Sequence, residues 1–197
     1  MPYSSTRLFI AIRFSDAVAE ELEALEDGFG IPRAAWTPSE QFHLTLRFLG
    51  DPFPATLLEI DRALREVRAD SFTLDLKGIG HFPLRGDPET LWTGAVPCEP
   101  LLRLRHRVES ALARAGIAPE GRKFHPHVSL ARVKHAAPEH VAAFEIRQGL
   151  FSRGDIPVQA FHLFSSELKP GGAVHTLEAT YPLEGMLEGS SEDEEED

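Results

Sequence analysis

The chain has a single cysteine, Cys98, in 197 residues. One thiol can form no intramolecular disulfide and cannot build a thiolate metal cage. A reducing cytoplasm is therefore the expected location. No run approaches the roughly 18 apolar residues of a membrane span, and no membrane partner is expected. The opening Met1–Arg7 lacks a basic stretch followed by a long apolar one, so no secretory signal is expected. Neither GxGxxG nor GxxxxGKS/T occurs, which withdraws support from nucleotide folds built on those loops.

Basic residues are also scarce. There are 20 Lys and Arg against 31 Asp and Glu, a net charge of −11. The stretch Glu188–Asp197 holds seven acids and no base, so residues 1–187 carry 24 acids against 20 bases, a net of −4. Such a body does not suit tight, sequence-independent binding of long nucleic acid, which needs many phosphates neutralised. A small local anion site stays open. Residues 188–197 are expected to be a disordered acidic tail, because like charges repel and nothing there can be buried. Solubilisation is its simplest role; competition with an anionic ligand for a basic site is the alternative.

What is present is apolar: 42% hydrophobic residues, with 13 Phe. That supports one domain over residues 1–187, or two small lobes sharing a core. Strands are expected at Leu8–Ile12 with Phe14, at Phe42–Leu49, at Phe72–Leu76, at Leu91–Val96, at Val128–Val133, at Val158–Phe164 and near Val174–Tyr181. Helices are expected after Ser15 or Asp16 as cap, ending at Gly28 and Gly30; through Leu57, Ile60, Leu64 and Val67; over Pro100–Ala115; and from about Pro138 to Phe144. In the third, Leu101, Leu104, Val108 and Leu112 form one stripe, with Arg103, Arg105, Arg107 and Arg114 mostly off it. Gly50-Asp51-Pro52 closes a strand, and Gly171-Gly172 turns the final pair. The fold class is α+β: antiparallel sheets with helices on their outer faces.

Two segments resemble each other: Phe42-His43-Leu44-Thr45-Leu46 and His125-Pro126-His127-Val128-Ser129-Leu130. Alternate residues of a strand share a face. His43 and Thr45 therefore point one way while Leu44 and Leu46 enter a core, and His127 and Ser129 repeat the pattern over Val128 and Leu130. A cleft faced by both copies holds two imidazoles and two hydroxyls. That set suits phosphodiester chemistry. A neutral imidazole takes a proton from the nucleophile, a protonated one gives a proton to the leaving oxygen, and hydroxyls hold the charged phosphate oxygens. No metal is required. His125 and His127 could together ligate an ion only with a third ligand, which no spacing supplies.

By alternation Arg47 is expected to face with His43 and Thr45. Arg132 is one position out of phase, so a strand end or bulge is needed to re-aim it. Arg122, Lys123 and Lys134 add bases near the second motif. Trp36, Phe42, Phe82 and Trp92 are candidates to stack on a base, although core positions are the simpler expectation for each. His125 is expected to support the site rather than react. His81, His106, His135, His140, His162 and His175 are expected to be structural or surface residues.

These motifs, with Arg7-Leu8-Phe9-Ile10-Ala11-Ile12, Trp36, Arg47-Phe48-Leu49-Gly50 and Phe124 to Arg132 around them, resemble the RNA 2′,3′-cyclic phosphodiesterases, also called 2′-5′ RNA ligases, of the 2H phosphoesterase superfamily. The resemblance runs over about residues 5–183. It implies a bilobal α+β fold of two pseudo-symmetric lobes, each an antiparallel sheet with outer helices, around a central cleft. It also implies metal-free, cofactor-free opening of a 2′,3′-cyclic phosphate to a 2′-phosphate. His43 would be the proton donor to the 3′-oxygen and His127 the base that activates water. Thr45 and Ser129, with Arg132 as helper, would hold the phosphate. Run in reverse, the site would join a cyclic phosphate to a 5′-hydroxyl. The expected partner is RNA with a cyclic phosphate end, or a related cyclic nucleotide such as ADP-ribose 1″,2″-cyclic phosphate, acted on by a monomer. Binding of RNA ends without turnover is the reading from a different class.

Overall fold

Period-two apolar patterning and helical stripes resolve into nine strands and four α-helices among the residues that the computed structural model describes. These are residues 7–26, 31–32, 34–51, 54–84, 87–133, 137–169 and 172–185. In chain order they are β1 (Arg7–Arg13), α1 (Asp16–Glu23), β2 (Ala34–Trp36), β3 (His43–Gly50), α2 (Pro54–Arg65), β4 (Phe72–Leu84), β5 (Asp87–Ala95), α3 (Glu99–Arg114), β6 (His127–Val133), α4 (Pro138–Gln148), β7 (Ser152–Val158), β8 (Ala160–Lys169) and β9 (Gly172–Pro182). Short 3₁₀ turns occupy Ala24–Glu26 and Ser39–Gln41.

The strands join as β7-β4-β5-β6-β3-β1-β8-β9, with β2 added to β6. Every pairing between these strands is antiparallel. The two halves, β7-β4-β5-β6 and β3-β1-β8-β9, are the two lobes. They meet where Leu44 of β3 pairs with Val128 of β6.

One apolar cluster serves both lobes. It takes Ile10 and Ile12 from β1, Leu44 and Leu46 from β3, Val128 and Leu130 from β6, and Leu74 and Leu76 from β4. Helices supply Leu22, Ile60, Leu64, Val141 and Phe144, together with the α3 stripe of Leu101, Leu104, Val108 and Leu112. Each fully buried side chain of this kind contributes roughly 1.5–3 kcal/mol relative to exposure. The helices therefore cover one sheet face. The other face carries the small separate cluster Phe9, Ala11 and Phe164.

The structure departs from the sequence reading at three places. Val158–Phe164 is not one strand: β7 ends at Val158, which pairs with Phe72, and β8 begins at Ala160, which pairs with Pro182. The chain crosses between lobes at Gln159. The apolar phase slips there by one, since Ile156 and Val158 are buried before the break and Phe161 and Leu163 after it. Ser15 holds the N-cap position of α1 but makes no side-chain capping bond. Asp16 sits in the first turn, where its charge favours the helix end. β2 was not anticipated, being too short for a pattern. Gly50 closes β3 with φ 71°, a left-handed conformation that a side chain resists. Gly28, Gly30, Pro52, Lys134, His135, Gly171 and the tail 188–197 lie outside the described residues.

Candidate active site

The two motifs meet at the seam. With Leu44 opposite Val128, running the antiparallel register one residue each way sets His43 toward Ser129 and Thr45 toward His127. All four side chains are half-buried, while the alternating Leu44, Leu46, Val128 and Leu130 are at most 2% exposed. The imidazoles and hydroxyls therefore share the face away from the helices, as the period of a strand requires.

A β-bulge follows each motif at the same place. Between β1 and β3 the register jumps from Ala11↔Thr45 to Ile10↔Arg47, leaving Leu46 unpaired. Between β5 and β6 it jumps from Trp92↔Ser129 to Leu91↔Ala131, leaving Leu130 unpaired. A bulge puts two successive residues on one side and reverses the phase beyond it. Arg132 is thereby turned back to the His127 and Ser129 face. Phe48 is its counterpart in the first lobe, 52% exposed.

The same bulge overturns the placement expected for Arg47. Its side chain is turned to the helix side and buried at 7% exposure. There it lies 3.6 Å from Glu109 of α3 and 3.6 Å from Glu120, and donates to the Ala118 carbonyl. Arg47 is thus no part of an anion pocket. It ties the first motif to the loop that leads into the second. Arg122 is engaged by Glu120 at 2.9 Å, and Lys123 is exposed.

Each motif histidine is held in the same way. His43 Nδ1–H donates to the Gln41 carbonyl at 2.7 Å. His127 Nδ1–H donates to the His125 carbonyl at 2.6 Å. A carbonyl only accepts, so the proton of each neutral ring sits on Nδ1 and Nε2 carries the lone pair. His125 supports His127 through its backbone.

The surroundings of the two rings differ. Burial pushes the His43 pKa down from 6.5 to about 4 against the raising effect of the Gln41 bond, and the charges of His175 and His127 push the same way. Burial also lowers His127, with His125 adding to it, although the His125 carbonyl opposes. His43 lies against Phe9, with ring centroids 4.8 Å apart, and Phe9 stacks on Phe164 at 5.3 Å. His127 meets Phe82 edge-on at 4.8 Å, and Trp92 packs on Phe82 at 5.4 Å. The indole of Trp92 lies over Gly80, where an added Cβ would fall 2.5 Å from two of its ring carbons. Of the stacking candidates, Phe82 and Trp92 flank the site. Phe42 is core, and Trp36 packs on Phe144 in the shared core.

Histidines expected to be structural include two that belong to this face. His175 of β9 meets His43 edge-on at 5.2 Å. His162 of β8, bonded to Thr180 at 3.0 Å, is lowered by burial and by the charge of Arg13. Neither sits in a motif, and only the pairing of β8 and β9 brings them in. His81 meets that expectation, paired with Glu145 of α4 at 2.6 Å. Among the described residues no group of three or more His, Cys, Asp or Glu side chains is disposed to hold a metal ion.

Two histidine–hydroxyl strands meeting at one seam of an antiparallel bilobal sheet form the arrangement of a 2H phosphoesterase. The family model of the 2′-5′ RNA ligase superfamily matches residues 14–170, and the chain belongs to that superfamily. It is 35% identical over 141 residues to the RNA 2′,3′-cyclic phosphodiesterase of Aeropyrum pernix, covering 71% of this chain and 77% of that protein. It is 34% identical over 190 residues to the RNA 2′,3′-cyclic phosphodiesterase of Thermus thermophilus, covering 91% of each. Among solved structures, TT0787 of Thermus thermophilus superposes with a TM-score of 0.72 at 30% identity, over 89% of this chain and 97% of that one. Escherichia coli LigT complexed with 3′-AMP gives 0.73 at 24% identity, over 90% and 98%, a likeness of fold.

Proposed function

We propose that the protein hydrolyses RNA 2′,3′-cyclic phosphate ends to 2′-phosphates by metal-independent acid/base catalysis between His43 and His127. The observation that carries the reading is the matched tethering of the two rings, each with Nδ1–H on a backbone carbonyl and Nε2 left for proton transfer. The names borne by the relatives support the substrate class.

The cyclic phosphodiester anion binds between the motifs. His127 Nε2 takes a proton from water as the water oxygen forms its bond to phosphorus. The bond from phosphorus to the 3′-oxygen breaks, and protonated His43 gives its Nε2 proton to that oxygen. The 2′-phosphate remains. Thr45, Ser129 and Arg132 donate to the non-bridging oxygens, whose charge persists through the step. Burial holds unliganded His43 neutral near pH 7. The bound anion supplies the negative charge that favours its protonated form. With a 5′-hydroxyl in place of water, the same proton transfers join two strands through a 2′-5′ linkage.

The test is an RNA oligonucleotide ending in a 2′,3′-cyclic phosphate, incubated with the protein in EDTA and read by ³¹P NMR. The expected product is the 2′-phosphate. A 3′-phosphate would reverse the leaving-group assignment, and activity only on adding a divalent ion would overturn the metal-free mechanism. An oligonucleotide that binds and returns unchanged would leave an RNA-end-binding protein.

A further inference from the structure

We infer that His175 is a third imidazole of the phosphate site, donating from Nε2–H to a non-bridging oxygen of the bound cyclic phosphate. The inference rests on the phosphodiesterase reading above.

His175 lies on β9 opposite Ser166 of β8. Its ring stands edge-on to His43 at 5.2 Å and 87°, and edge-on to Phe9 at 5.0 Å and 75°. Burial first, and then the charge of Arg132, disfavour its protonated form. His175 thus stands beside the imidazole of the first motif and within the field of the Arg132 guanidinium of the second.

Its nitrogens carry the assignment. Nδ1 is buried and has no hydrogen-bond partner among the described residues. A buried N–H without an acceptor is rare, and a buried lone pair is easier to tolerate. The proton of the neutral ring therefore sits on Nε2. This is the opposite tautomer to His43 and His127, whose Nδ1 protons are committed to carbonyls. The three rings divide the work. Two present an Nε2 lone pair for proton exchange, and the third presents a fixed Nε2 donor. Burial and Arg132 disfavour the charged form of unliganded His175, so its neutral ring meets the anion with the N–H dipole already in place.

Substitutions separate a donor from a ring that merely packs on Phe9. Gln places an amide near the Nε2 position, Asn places one near Nδ1, and Phe keeps the ring without either. Two readouts are taken on each: steady-state turnover of the cyclic-phosphate oligonucleotide, and calorimetric binding of inorganic phosphate. His175→Phe and His175→Asn are expected to raise KM and weaken phosphate binding about tenfold, with kcat within about threefold. His175→Gln is expected to stay within about threefold of the parent on both. Phosphate binding unchanged in His175→Phe, or lost equally in His175→Gln, would overturn the donor role. A parent protein that binds phosphate with this pattern but does not turn over the oligonucleotide would instead overturn the phosphodiesterase reading.

Discussion

Leu44 and Val128, each the residue after a motif histidine, pair across the seam between β3 and β6. A local twofold through that pair exchanges the lobes. It carries His43 onto His127, Thr45 onto Ser129, the Leu46 bulge onto the Leu130 bulge, and Phe48 onto Arg132. The site is built by repetition and made directional by what differs. The first lobe buries its histidine among Phe9, Phe164 and His175. The second supplies Arg132 and the Trp92–Phe82 pair.

Truncation of either ring removes one half of a proton relay. His43→Ala and His127→Ala are each expected to lower kcat about 10³-fold, within the range for general acid/base groups. The far-UV spectrum should be unchanged, since both rings lie on the open face. Initial rates on the cyclic-phosphate oligonucleotide check this, and a variant retaining a tenth of parental kcat would contradict it.

The pH profile follows from the depressed histidines. The free enzyme needs one ring charged and the other neutral. Both pKa values lie below 6.5, that of His43 at about 4. The singly protonated form is most populated midway between them, so kcat/KM should peak below pH 6.5 and fall tenfold per unit on the alkaline side. In the complex the phosphate anion raises both, so the kcat optimum should lie at higher pH than that of kcat/KM. Rates from pH 4 to 9 decide it, and a kcat/KM maximum above pH 7.5 would refute the argument.

Arg47 is expected to matter for stability before chemistry. Removing it takes the buried cation from Glu109 and Glu120, which retain Arg105 and Arg122, and frees the Ala118 carbonyl. The cost falls on the buried side, where the Arg47 stem and guanidinium are packed at 7% exposure and a smaller apolar chain leaves the Ala118 carbonyl without its donor. Arg47→Met should therefore unfold at markedly lower urea, while surviving folded protein keeps most of its kcat. A large kcat loss at unchanged stability would return Arg47 to the anion pocket.

The four motif side chains were legible because strand period two is rigid over three residues. Legibility ended at Leu46 and Leu130. Counting by alternation placed Arg47 in the site and Arg132 out of phase. The paired bulges reverse both, and a bulge leaves no mark in the apolar pattern when both residues on the buried side are tolerated there. Arg47 is tolerated because two carboxylates meet it. His175 was illegible for a different reason. Its place depends on the register of β9 against β8, a relation between strands that no local spacing encodes. The β7–β8 break lay in view as a phase slip at Gln159, masked by the apolar residues on both sides of it.

The burial of His43 that sets the pH profile also has a thermodynamic signature. Its folded pKa is about 4 against 6.5 for an ordinary histidine. Above pH 6.5 neither the folded nor the unfolded chain binds this proton, and the contribution is intact. As pH falls from 6.5 toward 4 the unfolded chain takes up a proton that the folded chain refuses. Stability is then lost at about 1.4 kcal/mol per unit, to a total of about 3 kcal/mol. Carboxylates titrate in the same window, so the comparison must be made against His43→Gln, in which only this term is absent. Urea unfolding at pH 7, 5.5 and 4.5 should show the variant losing about 2 kcal/mol less than the parent over that range. Parallel losses would mean that His43 is not held neutral by its aromatic surroundings, and the acid-side optimum derived from that burial would fall with it.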